Sequence, residues 1–123
     1  MILDWKKNKK HALKKGIQIY HSDGIECLCF SVPDTVVIEN ITFRNFPYLC
    51  IEEHQILYCT FENCERVDLR SLYEFQGLTF DKVKRLNIGC KQLSCSTFKD
   101  ADTVTVEKIT YSYLAKFSFD ERA

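Results

Sequence analysis

Between Asp34 and Phe119 the apolar residues recur in fixed columns. With Phe43, Phe61, Phe80, Phe98 and Tyr111 as reference positions, the first four are separated by 18, 19 and 18 residues. A threonine precedes each: Thr42, Thr60, Thr79, Thr97 and Thr110. Two before the aromatic stand Ile41, Cys59, Leu78, Ser96 and Ile109, and five before it Ile38, Ile56, Phe75, Leu93 and Val106. Three after it come Phe46, Cys64, Val83, Ala101 and Leu114. Six after it come Leu49, Val67, Leu86, Val104 and Phe117, and eight after it Ile51, Leu69, Ile88, Val106 and Phe119. The last interval, Phe98 to Tyr111, is only 13 residues, so Val106 serves in two columns and the final coil reads as truncated.

Apolar positions two apart, with a residue of opposite facing between them, mark strands. Each unit therefore holds at least two short strands joined by bends. A unit of this length cannot bury its own apolar face, but stacking units at about 4.8 Å buries a continuous interior. The expected fold is mainly all-β: a short parallel β-solenoid of about five coils spanning 34–119. Charged residues occupy outward columns. Arg44, Glu62, Asp81 and Lys99 follow the aromatics directly, and Glu65, Lys84 and Asp102 lie four after them. Opposite charges facing each other across adjacent strands contribute a few tenths of a kcal/mol each, on the order of 0.2–1.

The segment before the repeat reads as a cap on a single domain of 123 residues. Residues 1–16 predict a basic helix with Asp4 as N-cap and Gly16 as the C-terminal glycine. Trp5 and Leu13 would dock on the open end of the stack, because a bare terminal coil exposes apolar surface and strand edges. Residues 17–33 predict a β-hairpin, Ile17 to Tyr20 and Ile25 to Phe30 flanking a turn with Asp23-Gly24, closed by Pro33. Residues 120–123 form a tail.

The runs Ile38-Glu-Asn-Ile-Thr-Phe-Arg-Asn45 and Ile56-Leu-Tyr-Cys-Thr-Phe-Glu-Asn63 resemble coils of right-handed parallel β-helices, the pectate-lyase-like solenoids. In that family such a run precedes a bend and a second strand, as Val67 and Leu69 follow here. The resemblance implies the fold and no activity. Val83-Lys-Arg-Leu86-Asn-Ile88 also fits the L-x-x-L-x-L core of a leucine-rich repeat, and the phenylalanines are similar to those of irregular bacterial repeats. A leucine-rich-repeat-like α/β solenoid is therefore the alternative architecture.

Charge is unevenly distributed, with the excess of positives at the N-terminus. The chain carries 17 basic and 17 acidic residues, yet Lys6, Lys7, Lys9, Lys10, Lys14 and Lys15 crowd the first fifteen positions against Asp4 alone. Residues 16–123 then hold 17 − 6 = 11 positives and 17 − 1 = 16 negatives, a net of −5. The start of the chain lacks the apolar run of a signal peptide, and no stretch approaches the roughly 18 apolar residues of a membrane span. A cytoplasmic protein with no membrane partner is expected, and its seven cysteines are expected as free thiols.

No catalytic or cofactor constellation emerges, and the expectation is a non-enzyme without cofactor. Cysteine lacks the C-x-x-C spacing of zinc sites, and His11, His21 and His54 are scattered. Cys27 and Cys29 share one strand face and read as packing against the first coil. Cys50 with His54 as base lacks a third orienting group. The mixed-sign outward columns do not form the acid cluster of a β-helix lyase, and charges flank the threonine ladder where an ice-binding face would be flat and neutral.

Function is therefore read from surface and shape. The preferred expectation is a non-enzymatic protein-binding repeat module. Exposed Tyr48, Tyr58, Tyr73 and Tyr113 would anchor a partner of basic surface. Size and charge fit an inhibitor or antagonist of a nucleic-acid-handling or defence complex, of phage or mobile-element type. The alternatives are nucleic-acid binding through the six lysines of the N-terminal helix and a carbohydrate-binding β-helix remnant. An open solenoid end could also pair with a second copy.

Overall fold

A computed structural model describes residues 1–109 of the chain. Its strands are β1 (Ile2–Asp4), β2 (Ile17–Ser22), β3 (Ile25–Phe30), β4 (Val37–Glu39), β5 (Thr42–Arg44), β6 (Tyr48–Glu52) and β7 (Gln55–Leu57). They continue with β8 (Thr60–Arg70), β9 (Glu74–Gln76), β10 (Thr79–Cys90), β11 (Gln92–Ser94), β12 (Thr97–Lys99) and β13 (Thr103–Lys108). A single helix, α1 (Lys9–Lys15), lies between β1 and β2. Among the described residues the repeats form the expected parallel β-solenoid, with about four turns; the fifth expected coil, that of Tyr111, falls outside them. Thr110, Tyr111, Tyr113, Leu114, Phe117, Phe119 and the tail 120–123 lie outside the described residues.

The coil has three strand-lined sides. A narrow panel stacks β4, β7, β9 and β11. A middle panel stacks β1, β5, the start of β8, the start of β10, and β12. A broad panel of six strands runs β2, β3, β6, the end of β8, the end of β10, and β13. The repeat coils thus carry strands on every side, and the one helix among the described residues belongs to the cap, which sets aside the α/β leucine-rich-repeat architecture.

The columns read from the sequence are the registers of these panels. Phe43, Phe61, Phe80 and Phe98 are successive partners, as are Thr42, Thr60, Thr79 and Thr97. The four rings stack at centroid separations of 5.1, 5.1 and 5.3 Å, within 12° of parallel. Ile38, Ile56, Phe75 and Leu93 align on the narrow panel. Val106 pairs with Ile88 and so belongs to the broad-panel column alone; its expected second role in the narrow panel is not filled. The columns are closed through the first three coils, whereas Phe98 and Val106 at the fourth are 41% and 52% exposed.

Two of the bends are made by left-handed residues in register. Asn40, Tyr58, Gly77 and Cys95 all have positive φ and turn the narrow panel into the middle one. Asn45, Asn63, Lys82 and Asp100 do the same between the middle and broad panels. The second bend rephases the chain: Phe61, Cys64 and Val67 all point inward at spacings of three, which an unbroken strand alternation forbids. Asparagine, aspartate and glycine tolerate this conformation best, and five of the eight positions carry one of them.

The N-terminal segment caps the stack, but differently from the expected single helix. Residues 2–4 form a strand that adds to the middle panel, with Leu3 in register with Phe43. Asp4 is therefore not the N-cap of α1. Asn8 is, its side chain accepting from the His11 backbone N–H at 3.1 Å, while Gly16 closes the helix as expected. Trp5 docks on Phe46, ring centroids 5.9 Å apart, as foreseen. Leu13 does not dock; it is exposed, and Ala12 is the buried residue of α1. The hairpin forms with the Asp23-Gly24 turn, both residues at positive φ, and its β3 strand extends the broad panel beside β6.

Candidate functional site

The outer surface of the broad panel carries polar side chains from several coils in an ordered array. One outward row runs Gln18, Cys29, Cys50, Asp68, Asn87 and Thr105 across all six strands. The next runs Tyr48, Arg66, Arg85 and Thr103. Parallel pairing brings residues one repeat apart in sequence to about 4.8 Å, so short side chains suffice to connect coils.

Asp68 is the hub. Its carboxylate accepts from the Tyr48 hydroxyl at 2.8 Å, from Asn87 Nδ2 at 2.8 Å, and from Arg66 Nε and Nη2 at 3.1 and 2.9 Å. The Arg66 guanidinium also lies 4.3 Å from the centre of the Tyr48 ring, within cation–π range. Burial pushes the Asp68 carboxyl up, but the hydrogen bonds from Arg66, Asn87 and Tyr48 outweigh it and hold it below the usual aspartate range. Burial and the Asp68 charge together push the Tyr48 hydroxyl far above its usual range. Four residues from three successive coils are thereby fixed as ionised or neutral partners of one another. At the panel border Arg70 pairs with Glu107 at 3.4 Å.

Beside this network, three thiols converge. Cys27 and Cys29 alternate on β3 and face outward together, their Sγ atoms 3.7 Å apart. Cys29 is the register partner of Cys50 on β6, and the three sulfurs all lie within 4.8 Å of one another. They are half-buried and unbridged. The inward cysteines behave as expected of core residues: Cys59 and Cys64 donate to the carbonyls of Leu57 and Glu62 at 3.4 and 3.3 Å. His54 is buried in the adjoining turn with both ring nitrogens facing backbone groups, Nε2 the Val32 N–H at 3.4 Å and Nδ1 the Val36 carbonyl at 3.3 Å, so neither is directed to Cys50 as a base would be.

The anchors named from the sequence do not form one patch. Tyr48 lies on the broad panel, half-buried and engaged by Asp68 and Arg66. Tyr58 stands exposed at the bend between the narrow and middle panels, and Tyr73 is exposed in the turn that leads from β8 to β9. Tyr113 is outside the described residues. Lys6, Lys7, Lys9, Lys10, Lys14 and Lys15 are all exposed on the cap. Lys9 packs over the Trp5 ring at 5.2 Å, and with Lys6 it borders a groove of about 750 Å³ whose far wall carries Lys82, Lys84, Glu65 and Asp102.

Asp68, Arg66 and Asn87 do not stand out in the sequence, because the alternating charges lie in the columns one and four residues after the aromatics. Their signal is the pair of columns five and seven after it, Tyr48/Arg66/Arg85 and Cys50/Asp68/Asn87, which read as unremarkable polar positions until the panels are aligned. Comparison with family models, with curated proteins and with solved structures gives no significant match.

Proposed function

We propose that the chain is a non-enzymatic protein-binding module and that the outer surface of the broad panel is its recognition face. The observation that carries the reading is the Asp68 network, which holds Tyr48, Arg66 and Asn87 in place before any partner arrives. A preorganised polar surface avoids much of the ordering cost that side chains otherwise incur on binding, about 0.5–1.5 kcal/mol per long side chain. Tyrosine and arginine are also the residue types that dominate interface energetics. The Asp68 carboxylate, fully occupied by its neighbours, is not placed to serve as an acid or base.

The panel itself balances Glu52, Asp68 and Glu107 against Arg66, Arg70 and Arg85, so contact there rests on paired hydrogen bonds. Long-range attraction comes from the body of the chain, with its net of −5 over residues 16–123, and favours a partner of basic surface. A nucleic-acid-handling or defence complex offers such a surface, and inhibition of one is the role we assign. The coils are read as the right-handed parallel β-helix kind, supported by the Thr-aromatic columns and the strand on each side. The β2 edge, where Ile19 and Tyr20 are both exposed on opposite faces of the strand, is where a second copy would join.

The test compares three immobilised forms of the full chain as bait: wild type, a broad-panel variant (Arg85→Glu with Thr105→Arg) and a narrow-panel variant (Glu39→Lys with Glu74→Lys). The expected result is a protein retained by wild type and by the narrow-panel variant but lost from the broad-panel variant. Retention that is equal on all three, or absent from all, refutes the reading.

A further inference from the structure

We propose that Cys27, Cys29 and Cys50 form a site for a thiophilic d10 cation, bound through three thiolates on the outer face of the broad panel. The distances fit. Zinc–thiolate bonds of about 2.3 Å place the sulfurs of a tetrahedral site roughly 3.8 Å apart. Cys27 and Cys29 Sγ are 3.7 Å apart, and Cys50 Sγ is within 4.8 Å of both. Closing on a metal therefore asks for side-chain adjustments of about an ångström or less on a backbone that already holds the ligands.

That backbone is rigid where it matters. Two ligands alternate on β3, and the third is the register partner of one of them on β6, so all three stand on paired strands. Strand-borne ligands hold geometry better than loop-borne ones. Core packing does not explain the trio. The cysteines that fill the core, Cys59, Cys64 and Cys90, are buried, whereas these three are half-exposed on the outer side of the sheet, where a thiol has no apolar slot to fill. Gln18 and Tyr20 on β2 flank the trio as partners of Cys29 and Cys27, and Tyr48 and Asp68 border it on the other side. A cavity of about 610 Å³, lined by Gln18, Tyr20, Cys29 and Cys50, opens beside it and gives a fourth coordination position to solvent or an incoming ligand.

Soft thiolate sets select zinc and monovalent copper over hard cations. The thiolate, not the thiol, is the metal ligand, so each cysteine that enters as a thiol gives up its proton on binding. Binding of a divalent cation then displaces three protons and leaves a trithiolate complex of net charge −1; monovalent copper leaves −2. No electron is transferred.

The test uses the full chain, reduced and freed of reductant under inert gas, titrated separately with Cd(II), Zn(II) and Cu(I). The expected result is a thiolate-to-metal charge-transfer band that saturates at one equivalent, with proton release read by an indicator in weakly buffered solution. Cys29→Ser and Cys50→Ser should each weaken binding by roughly a hundredfold or more, beyond the 10–100-fold typical of outer-shell losses. Cys95→Ser, which alters an exposed thiol outside the trio, should leave the titration unchanged. Circular dichroism of each variant separates loss of a ligand from loss of fold, and Cys27→Ser supplies a third, independent ligand removal. The proposal is overturned by absence of a saturable band with all three cations. It is equally overturned by an unchanged band when all three cysteines are replaced by serine, or by a Cys29–Cys50 disulfide in protein isolated under thiol-blocking conditions.

Discussion

Phe61 and Phe80 lie face to face, ring centroids 5.1 Å apart and planes 12° from parallel, although 19 residues separate them in the chain. Both are fully buried. Each ring fills the gap between the layers above and below, so truncating one leaves a void that neither neighbour can close. Phe80→Ala should cost about 3–5 kcal/mol in chemical denaturation, the range for a buried phenylalanine. Exposed Lys82→Ala, two residues on, should stay within about 0.5 kcal/mol. Equal effects would refute the assigned facing.

The left-handed bends make a second prediction. Gly77 has φ +68°, and a Cβ placed there would lie 2.4 Å from Tyr58 Cδ1, the residue one coil away in the same column. Gly77→Ala should destabilise by about 1–2 kcal/mol from the backbone conformation, with displacement of Tyr58 in addition. Gly77→Asn should cost less of the backbone part, because asparagine adopts this conformation more readily. Thermal melts of the two variants decide the order.

The Asp68 carboxyl sets a pH dependence. Its native-state proton affinity is held below the ordinary aspartate value near 3.9, so the unfolded chain binds the proton more readily. Stability from this group is complete above about pH 5 and is lost as pH falls through its native value. Asp4 adds in the same sense: burial raises its carboxyl, but hydrogen bonds from Asn45 and the Lys7 and Lys6 backbone bring it below the ordinary value. Urea midpoints should fall between pH 5 and pH 3, and Asp68→Asn should flatten that slope while lowering stability at pH 7.

The cap separates packing from charge. Trp5→Ala removes a buried indole from Phe46 and should cost about 3 kcal/mol. Replacing the six lysines of residues 6–15 by glutamine touches exposed positions, each expected within about 0.5 kcal/mol. If the lysines serve only as a solvated face, that variant keeps its stability, and binding of duplex DNA at low salt is equally weak with and without them. Strong binding lost in the variant and steeply dependent on salt would instead favour the nucleic-acid reading.

The columns were legible in the sequence because one physical rule repeats at one spacing: Phe43, Phe61, Phe80 and Phe98 must each find the next layer. Three features were not. Leu3 joins the same column, yet the helix and hairpin that lie between it and Phe43 break the period, and a three-residue strand in a lysine-rich segment carries little pattern of its own. The bends at Tyr58, Lys82 and Cys95 use residues that do not advertise a left-handed backbone, although their column mates Asn40, Asn63 and Gly77 do. The thiol trio joins Cys27 and Cys29 to Cys50 across a stretch that no ligand-spacing rule covers, and only the pairing of β3 with β6 brings them together.

The fold rests on coils in register, and contacts between the stacked rings report that most directly. Nuclear Overhauser effects among specifically labelled phenylalanines should connect Phe43 with Phe61, Phe61 with Phe80 and Phe80 with Phe98, and should be absent between Phe43 and Phe80. Rings that show no such ladder, or that connect in a different order, would contradict it.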